Sequence, residues 1–181
     1  MNIVSHTKFL PYQPSWKEKF RKEKENLQDV FGDEAIAIEH IGSTSIEGLS
    51  AKPIIDIAVL VKSIDNIQHF VSKVSSLGYT YYPEMSSVER IFLRKGRPVE
   101  YHLSITCPKH IFWDRNIIFR DYLRKHPELM REYENLKKTN LKETPKEDFD
   151  DLSHSKIYNK GKGDFVKKIL SLAEKDGTLK S

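Results

Sequence analysis

His40-Ile41-Gly42-Ser43-Thr44-Ser45-Ile46-Glu47-Gly48-Leu49-Ser50-Ala51-Lys52-Pro53-Ile54-Ile55-Asp56-Ile57-Ala58-Val59 is the stretch that decides the fold. Residues 53–61 form an almost unbroken β-branched run, the pattern of a strand buried on both faces. One polar side chain, Asp56, interrupts it. Upstream, residues 35–41 alternate Ile36, Ile38 and His40 with small or polar residues and read as a second strand. Between the two lies the turn Gly42-Ser43-Thr44-Ser45, and twelve residues separate Ser43 from Asp56. Gly42 lets the backbone come close to a phosphate, and Ser43, Thr44 and Ser45 offer hydroxyl and N–H donors to it. A carboxylate held on a rigid strand can then fix Mg²⁺ against that phosphate. A purely structural reading stays open beside this one. Gly-Ser turns join strands without any ligand, and Asp56 could be satisfied by Arg90 or Lys52, because an unpaired buried carboxylate costs several kcal/mol.

Outward from this stretch, the periodicity predicts a helix over residues 16–31. Ser15 and Glu18 are spaced as a capping box, and Trp16, Phe20, Leu27, Val30 and Phe31 form its apolar stripe. A helix over residues 64–77 is expected to start at a Ser63 cap and to face inward with Ile64, Ile67, Phe70, Val71, Val74 and Leu77, with Gly78 ending it. Residues 79–82, 90–93 and 99–106 read as strands, the last two joined by a turn at Lys95-Gly96-Arg97-Pro98. Helices are expected over residues 111–125, 128–141 and 162–175, with a polar loop over 139–151. The order predicts one α+β domain, a mixed sheet with its helices on one side. Residues 1–107 would form the sheet-containing core and 108–181 a helical extension.

The 181 residues carry 30 Lys and Arg against 26 Asp and Glu, a formal charge of +4. The charge is uneven: residues 1–90 hold 10 basic and 12 acidic side chains, residues 91–181 hold 20 and 14. The C-terminal half therefore favours an anionic ligand, but so thin an excess does not argue for nucleic acid. The single Cys107 excludes a disulfide framework and gives no activated thiol. No apolar stretch approaches the roughly 20 residues of a membrane span, and residues 1–8 lack an apolar signal core, so a cytoplasmic protein with no membrane association is expected.

The spacing of Gly42-Ser43 to Asp56 resembles the nucleotidyltransferase signature of the polymerase-β-like superfamily. The whole chain, from Val4 almost to its end, resembles more closely the GrpB family of small bacterial proteins. The resemblance is carried by Tyr12-Gln13-Pro14-Ser15-Trp16 with Phe20, by Glu39 to Ser45 and Gly48 to Ile57, by Phe119-Arg120-Asp121-Tyr122-Leu123-Arg124 with His126-Pro127, and by Tyr133, Leu136-Lys137, Tyr158, Lys162 and Phe165. It implies a nucleotidyltransferase-like fold, with Gly42 and Ser43 as the phosphate grip and Asp56 as a metal carboxylate. The superfamily usually places a second carboxylate two residues on, where this chain has Ala58. Glu100 is the best candidate for a further carboxylate. Alternation puts Glu100, His102 and Ser104 on one strand face, although an exposed edge face is an equal reading. His102 can then serve as a general base.

Four further cations complete the candidates for phosphate or nucleotide binding. Lys52 lies in the shared motif, Arg120 and Arg124 stand four apart on one helix with forked donors, and Lys162 opens the last helix. On the residues alone a solvated helix face with an Arg–carboxylate pair is the stronger reading of the arginines, and the resemblance favours the phosphate reading. The expected function is a nucleotide-binding, nucleotidyltransferase-like protein holding Mg²⁺ through Asp56 and Glu100, with Asp56, Glu100 and His102 catalytic if a nucleotidyl group is transferred to an acceptor. The alternative is a non-catalytic member of the fold that binds a phosphorylated ligand or a protein, a reading that Ala58 favours.

Overall fold

The computed structural model describes residues 9–145 and 155–177. Five strands form one mixed sheet: β1 (Ala37–Ile41), β2 (Ile55–Leu60), β3 (Tyr79–Tyr81), β4 (Ile91–Lys95) and β5 (Tyr101–Thr106). They lie in the order β1-β2-β5-β4-β3. The β2–β5 pair is parallel and the others antiparallel. Among the described residues six α-helices accompany the sheet: α1 (Ser15–Phe31), α2 (Ile67–Ser75), α3 (Phe112–Lys125), α4 (Pro127–Glu143), α5 (Lys156–Asn159) and α6 (Lys162–Lys175). The α+β class and the mixed sheet read from the sequence are present.

Strand alternation sorts β2 into two chemistries. Ile55, Ile57 and Val59 join Leu103, Ile105, Ile91 and Leu93 in the main core, under Trp16, Leu27 and Phe31 of α1 and Phe70 and Val74 of α2. Asp56 and Ala58 face the other way. There Ala58 and Ile41 pack on Phe112 at the start of α3. The C-terminal helices build a separate core in which Phe119, Tyr122, Tyr133, Phe165 and Ile169 close over Ile46 and Leu49. The helices therefore do not all lie on one side. Ile46 and Leu49 follow the turn as buried apolar anchors, and α3, α4 and α6 cover them.

Several local expectations change. The capping box of α1 does not form: Glu18 pairs with Arg21 at 2.8 Å instead, and Ser15 is the first helical residue. α2 starts three residues later than expected, capped by Asn66, whose side chain accepts from His69 N. Ser63 Oγ is engaged by the amide of Asp65. Ile67, expected inside, is exposed. α4 runs on to Glu143, into the span read as loop, and residues 146–151 of that span, with the acidic run 147–151, lie outside the described residues. So do His6 and His154. α6 occupies the expected residues.

One buried ion pair had no sequence signal. Glu23 of α1 is almost fully buried, and both its carboxylate oxygens accept from Lys95 Nζ of β4 at 2.8 Å. Lys95→Met leaves the buried Glu23 carboxylate with Asn26 Nδ2 at 3.2 Å in place of its ion pair and is expected to cost about 1–3 kcal/mol, read as a lower denaturant midpoint at unchanged slope.

Candidate functional site

The turn after β1 is built by its own hydroxyls. Gly42 sits at φ 69°, a conformation open to glycine at no steric cost. Ser45 Oγ donates back to the Gly42 carbonyl at 2.6 Å. Thr44 Oγ1 donates to the Ile54 carbonyl at 3.1 Å and meets His40 Nε2 at 2.9 Å, which ties the turn to the approach of β2. His40, stacked on Phe20, is pushed down to about 4 chiefly by burial, so it stays neutral. Two of the four turn residues thus spend their hydroxyls on the turn, and Ser43 presents its own to the open side.

That side is a cavity of about 360 Å³ over the face of the sheet that carries Asp56. Register places His102 of β5 beside Asp56, and its Nδ1 lies 2.9 Å from Asp56 Oδ1. His102 is thus a hydrogen-bonding partner of the carboxylate, and Asp56 also acts electrostatically on Arg90. Arg90 stands further along, its Nη1 2.9 Å from Ser104 Oγ and its guanidinium 4.5 Å from the Phe92 ring centroid.

Lysines line the opposite wall. Lys137 of α4 is 2% exposed, and its Nζ donates to Ser43 Oγ at 3.1 Å and to the Ser50 carbonyl at 2.7 Å. Lys162, at the start of α6, places its Nζ 3.1 Å from the centroid of Tyr158, and Lys52 Nζ lies 5.3 Å from the same centroid. Burial, then the neighbouring lysines, hold Lys162 down at about 6. Lys137 is held at about 7 mainly by burial, with Glu134 opposing and Lys138 and Lys52 reinforcing. Four cations (Lys52, Lys137, Lys162 and Arg90) and one carboxylate, Asp56, line the cavity among the described residues.

The structure divides the sequence candidates. Asp56, Ser43, Thr44, Lys52, His102 and Lys162 meet at the cavity. Glu100 does not. β5 begins at Tyr101, so the alternation that would aim Glu100 with His102 never starts, and its carboxylate pairs with Lys19 of α1 at 2.9 Å. Arg120 and Arg124 also lie elsewhere, with Ser45, on a second cavity of about 520 Å³ between α1 and α3. Arg120 is buried and bonded to Glu39 at 2.7 Å, to the His40 carbonyl at 2.8 Å and to Asp121 at 2.8 Å. Arg124 is bonded to the Ser45 carbonyl at 2.7 Å. Their forked donors hold α3 against β1 and the turn. Lys137, Tyr133 and Tyr158 are site residues that charge reading alone passed over. Their signal is periodic: Tyr133, Lys137 and Asn140 put polar groups on the buried stripe of α4.

The donors present do not fit the metal pair expected from the nucleotidyltransferase resemblance. Two ions about 3.5–4 Å apart need several carboxylates between them. Here Ala58 is packed on Phe112, Glu100 points away, and one oxygen of Asp56 already meets His102. Among the described residues no three His, Cys, Asp or Glu side chains converge. No helix of the described residues is long and apolar enough to cross a membrane.

Known proteins bear on this arrangement. The protein YqkA of Bacillus subtilis is 38% identical over 157 residues, 86% of this chain, and the chain spans 44% of that relative's length. The crystal structure of the conserved protein GrpB from Enterococcus faecalis superposes with a TM-score of 0.78 at 32% identity, covering 93% of this chain and 98% of that one. A 75-residue stretch, 40% of this chain, is 33% identical to part of the dephospho-CoA kinase of Mycobacterium tuberculosis, where it makes up 18% of the length. The family model described as GrpB protein matches residues 6–172, and with these relatives it shows that the chain belongs to the GrpB family.

Proposed function

We propose that the cavity over Asp56 binds a phosphorylated small molecule, with a nucleoside triphosphate the first to test. The carrying observation is the convergence of Lys52, Lys137, Lys162 and Arg90 around Ser43, with one carboxylate, Asp56, among the described residues that line the cavity. Charged donors to phosphate form the stronger class of hydrogen bonds. The rest of the ligand has room in an adjoining cavity of about 790 Å³ that shares Ile54 and is lined by Tyr82, Arg94 and Pro98. Arg94 there lies 4.9 Å from the Tyr82 ring centroid, a surface suited to a planar group.

Nucleotidyl transfer to an acceptor is the second reading, favoured by the His102–Asp56 contact at 2.9 Å. With Nδ1–H donated to Asp56, Nε2 is free to take a proton from an acceptor hydroxyl. The missing carboxylates weigh against it, so ligand binding is the primary reading.

Thermal unfolding with ATP, GTP, tripolyphosphate and dephospho-CoA tests the proposal. Dephospho-CoA belongs in the panel because of the likeness to part of the kinase named for it. A ligand at about 100 times its Kd should add about 2.7 kcal/mol, a rise in Tm of roughly 5–10 °C for a domain of this size. No rise with any of them, in a folded sample, overturns the reading.

A further inference from the structure

The cavity presents positive charge where the resemblance expects metal ligands. Three lysines come from separate parts of the chain: Lys52 before β2, Lys137 on α4 and Lys162 on α6. Arg90 adds a guanidinium beside β4, and burial lowers its affinity for a proton as well. Among the described residues Asp56 is the one acid that lines the cavity, and Glu134 acts on Lys137 from outside it. Among the described residues, a divalent cation brought here would meet one carboxylate, already shared with His102, and four basic side chains. A phosphate would meet the reverse: four basic donors that its own charge favours in the protonated form, the Ser43 hydroxyl and one repelling group. Burial first, and then the neighbouring lysines, lowers the proton affinities of Lys137 and Lys162, and a bound anion would raise them again.

This step rests on the phosphate reading above. We infer that the cavity takes its phosphates as a bare polyanion, with Lys52, Lys137, Lys162 and Arg90 supplying the charge a metal would otherwise supply, so that binding is independent of Mg²⁺. The ligand class is then a compound with at least two phosphate charges in reach of α4 and α6, held by ammonium and guanidinium donors. Asp56 becomes a positioning residue for His102 and, towards the anion, a repelling charge.

The test is calorimetric titration of the full chain with tripolyphosphate and with ATP, once in EDTA and once in excess MgCl₂. Binding in EDTA as tight as in MgCl₂, or tighter because Mg²⁺ competes for the free anion, is the expected result. Binding only with MgCl₂ overturns the inference and leaves the phosphate reading standing. No binding in either condition overturns that reading and this one with it. Asp56→Asn, which keeps an oxygen for His102, gives a second arm. Metal-free binding predicts affinity unchanged or about three- to tenfold tighter after loss of the one like charge. A folded Asp56→Asn protein that no longer binds would show that the carboxylate is needed for the ligand, and the inference falls.

Discussion

Lys137→Met is expected to weaken tripolyphosphate binding by about 30-fold to a few thousand-fold, the effect of removing a buried charged hydrogen-bond partner worth about 2–5 kcal/mol. Lys137 is the cation best placed for it, because its Nζ lies 3.1 Å from Ser43 Oγ inside the cavity and the side chain is 2% exposed. The same change should alter the pH dependence of stability in a direction the charges dictate. Burial holds Lys137 at about 7 in the fold, against an ordinary value of 10.5. Between those values the unfolded chain binds a proton that the folded chain does not. Stability of the wild type therefore rises with pH across that window, and below about 7 the full penalty is present. Methionine removes the penalty. The Tm difference, variant minus wild type, should grow in favour of the variant as pH falls from about 10 to about 7. A flat difference over that range would mean that Lys137 is not held neutral by its surroundings. Lys162→Met, at a less buried position, repeats the binding test with less disturbance of the core.

Gly42→Ala should be the most destabilising small substitution in the turn. Gly42 has φ 69°, where an L residue is strained, and a Cβ there would fall inside contact distance of Asp56 Oδ2 and 2.9 Å from its Cγ. Left-handed strain costs about 1–3 kcal/mol and overpacking typically another 1–3 kcal/mol. The sum, about 2–6 kcal/mol, lowers Tm by roughly 4–24 °C at this chain length. The close approach also shapes the candidate site. Gly42 lets the turn lie directly against Asp56, and Ser43 is set over the cavity as a result. Adding Asp56→Ala to Gly42→Ala removes the Cγ and Oδ2 contacts and should restore most of the overpacking part, leaving the contact with the residue 56 Cβ at 3.0 Å and the φ strain. A double-mutant cycle measures that coupling, expected at about 1–3 kcal/mol. Additive effects would show that the two residues do not press on each other.

The local grammar of the chain was open to reading. Gly42 in its turn, the alternation through Asp56 and the limits of α6 follow from preferences that act over a few residues, and these survive folding. Errors arose where a neighbour offered a better partner than the local motif. Glu18 found Arg21 instead of the cap, and Ser63 was drawn into a bond with Asp65, leaving α2 to Asn66. Glu100 was misread because alternation holds only inside a strand, and it stands one residue before β5 with Lys19 within reach. Arg120 and Arg124 carry the chemistry for phosphate, yet Glu39, Asp121 and backbone carbonyls take up their donors.

By itself the sequence determined which groups the proposed anion site draws on: a glycine-opened, hydroxyl-rich turn, one strand-borne carboxylate and a basic C-terminal half. It also determined the family, through residues scattered over most of the chain. Which cations meet at the turn was decided only by the tertiary structure. Lys137 reaches Ser43 across 94 residues of chain, because α4 packs on Ile46 and Leu49 and carries a polar stripe into that contact. Helical period and charge do not say what a helix will face. That depends on the apolar anchors beside the turn, whose burial draws the C-terminal helices over the sheet and brings their lysines to bear on Asp56.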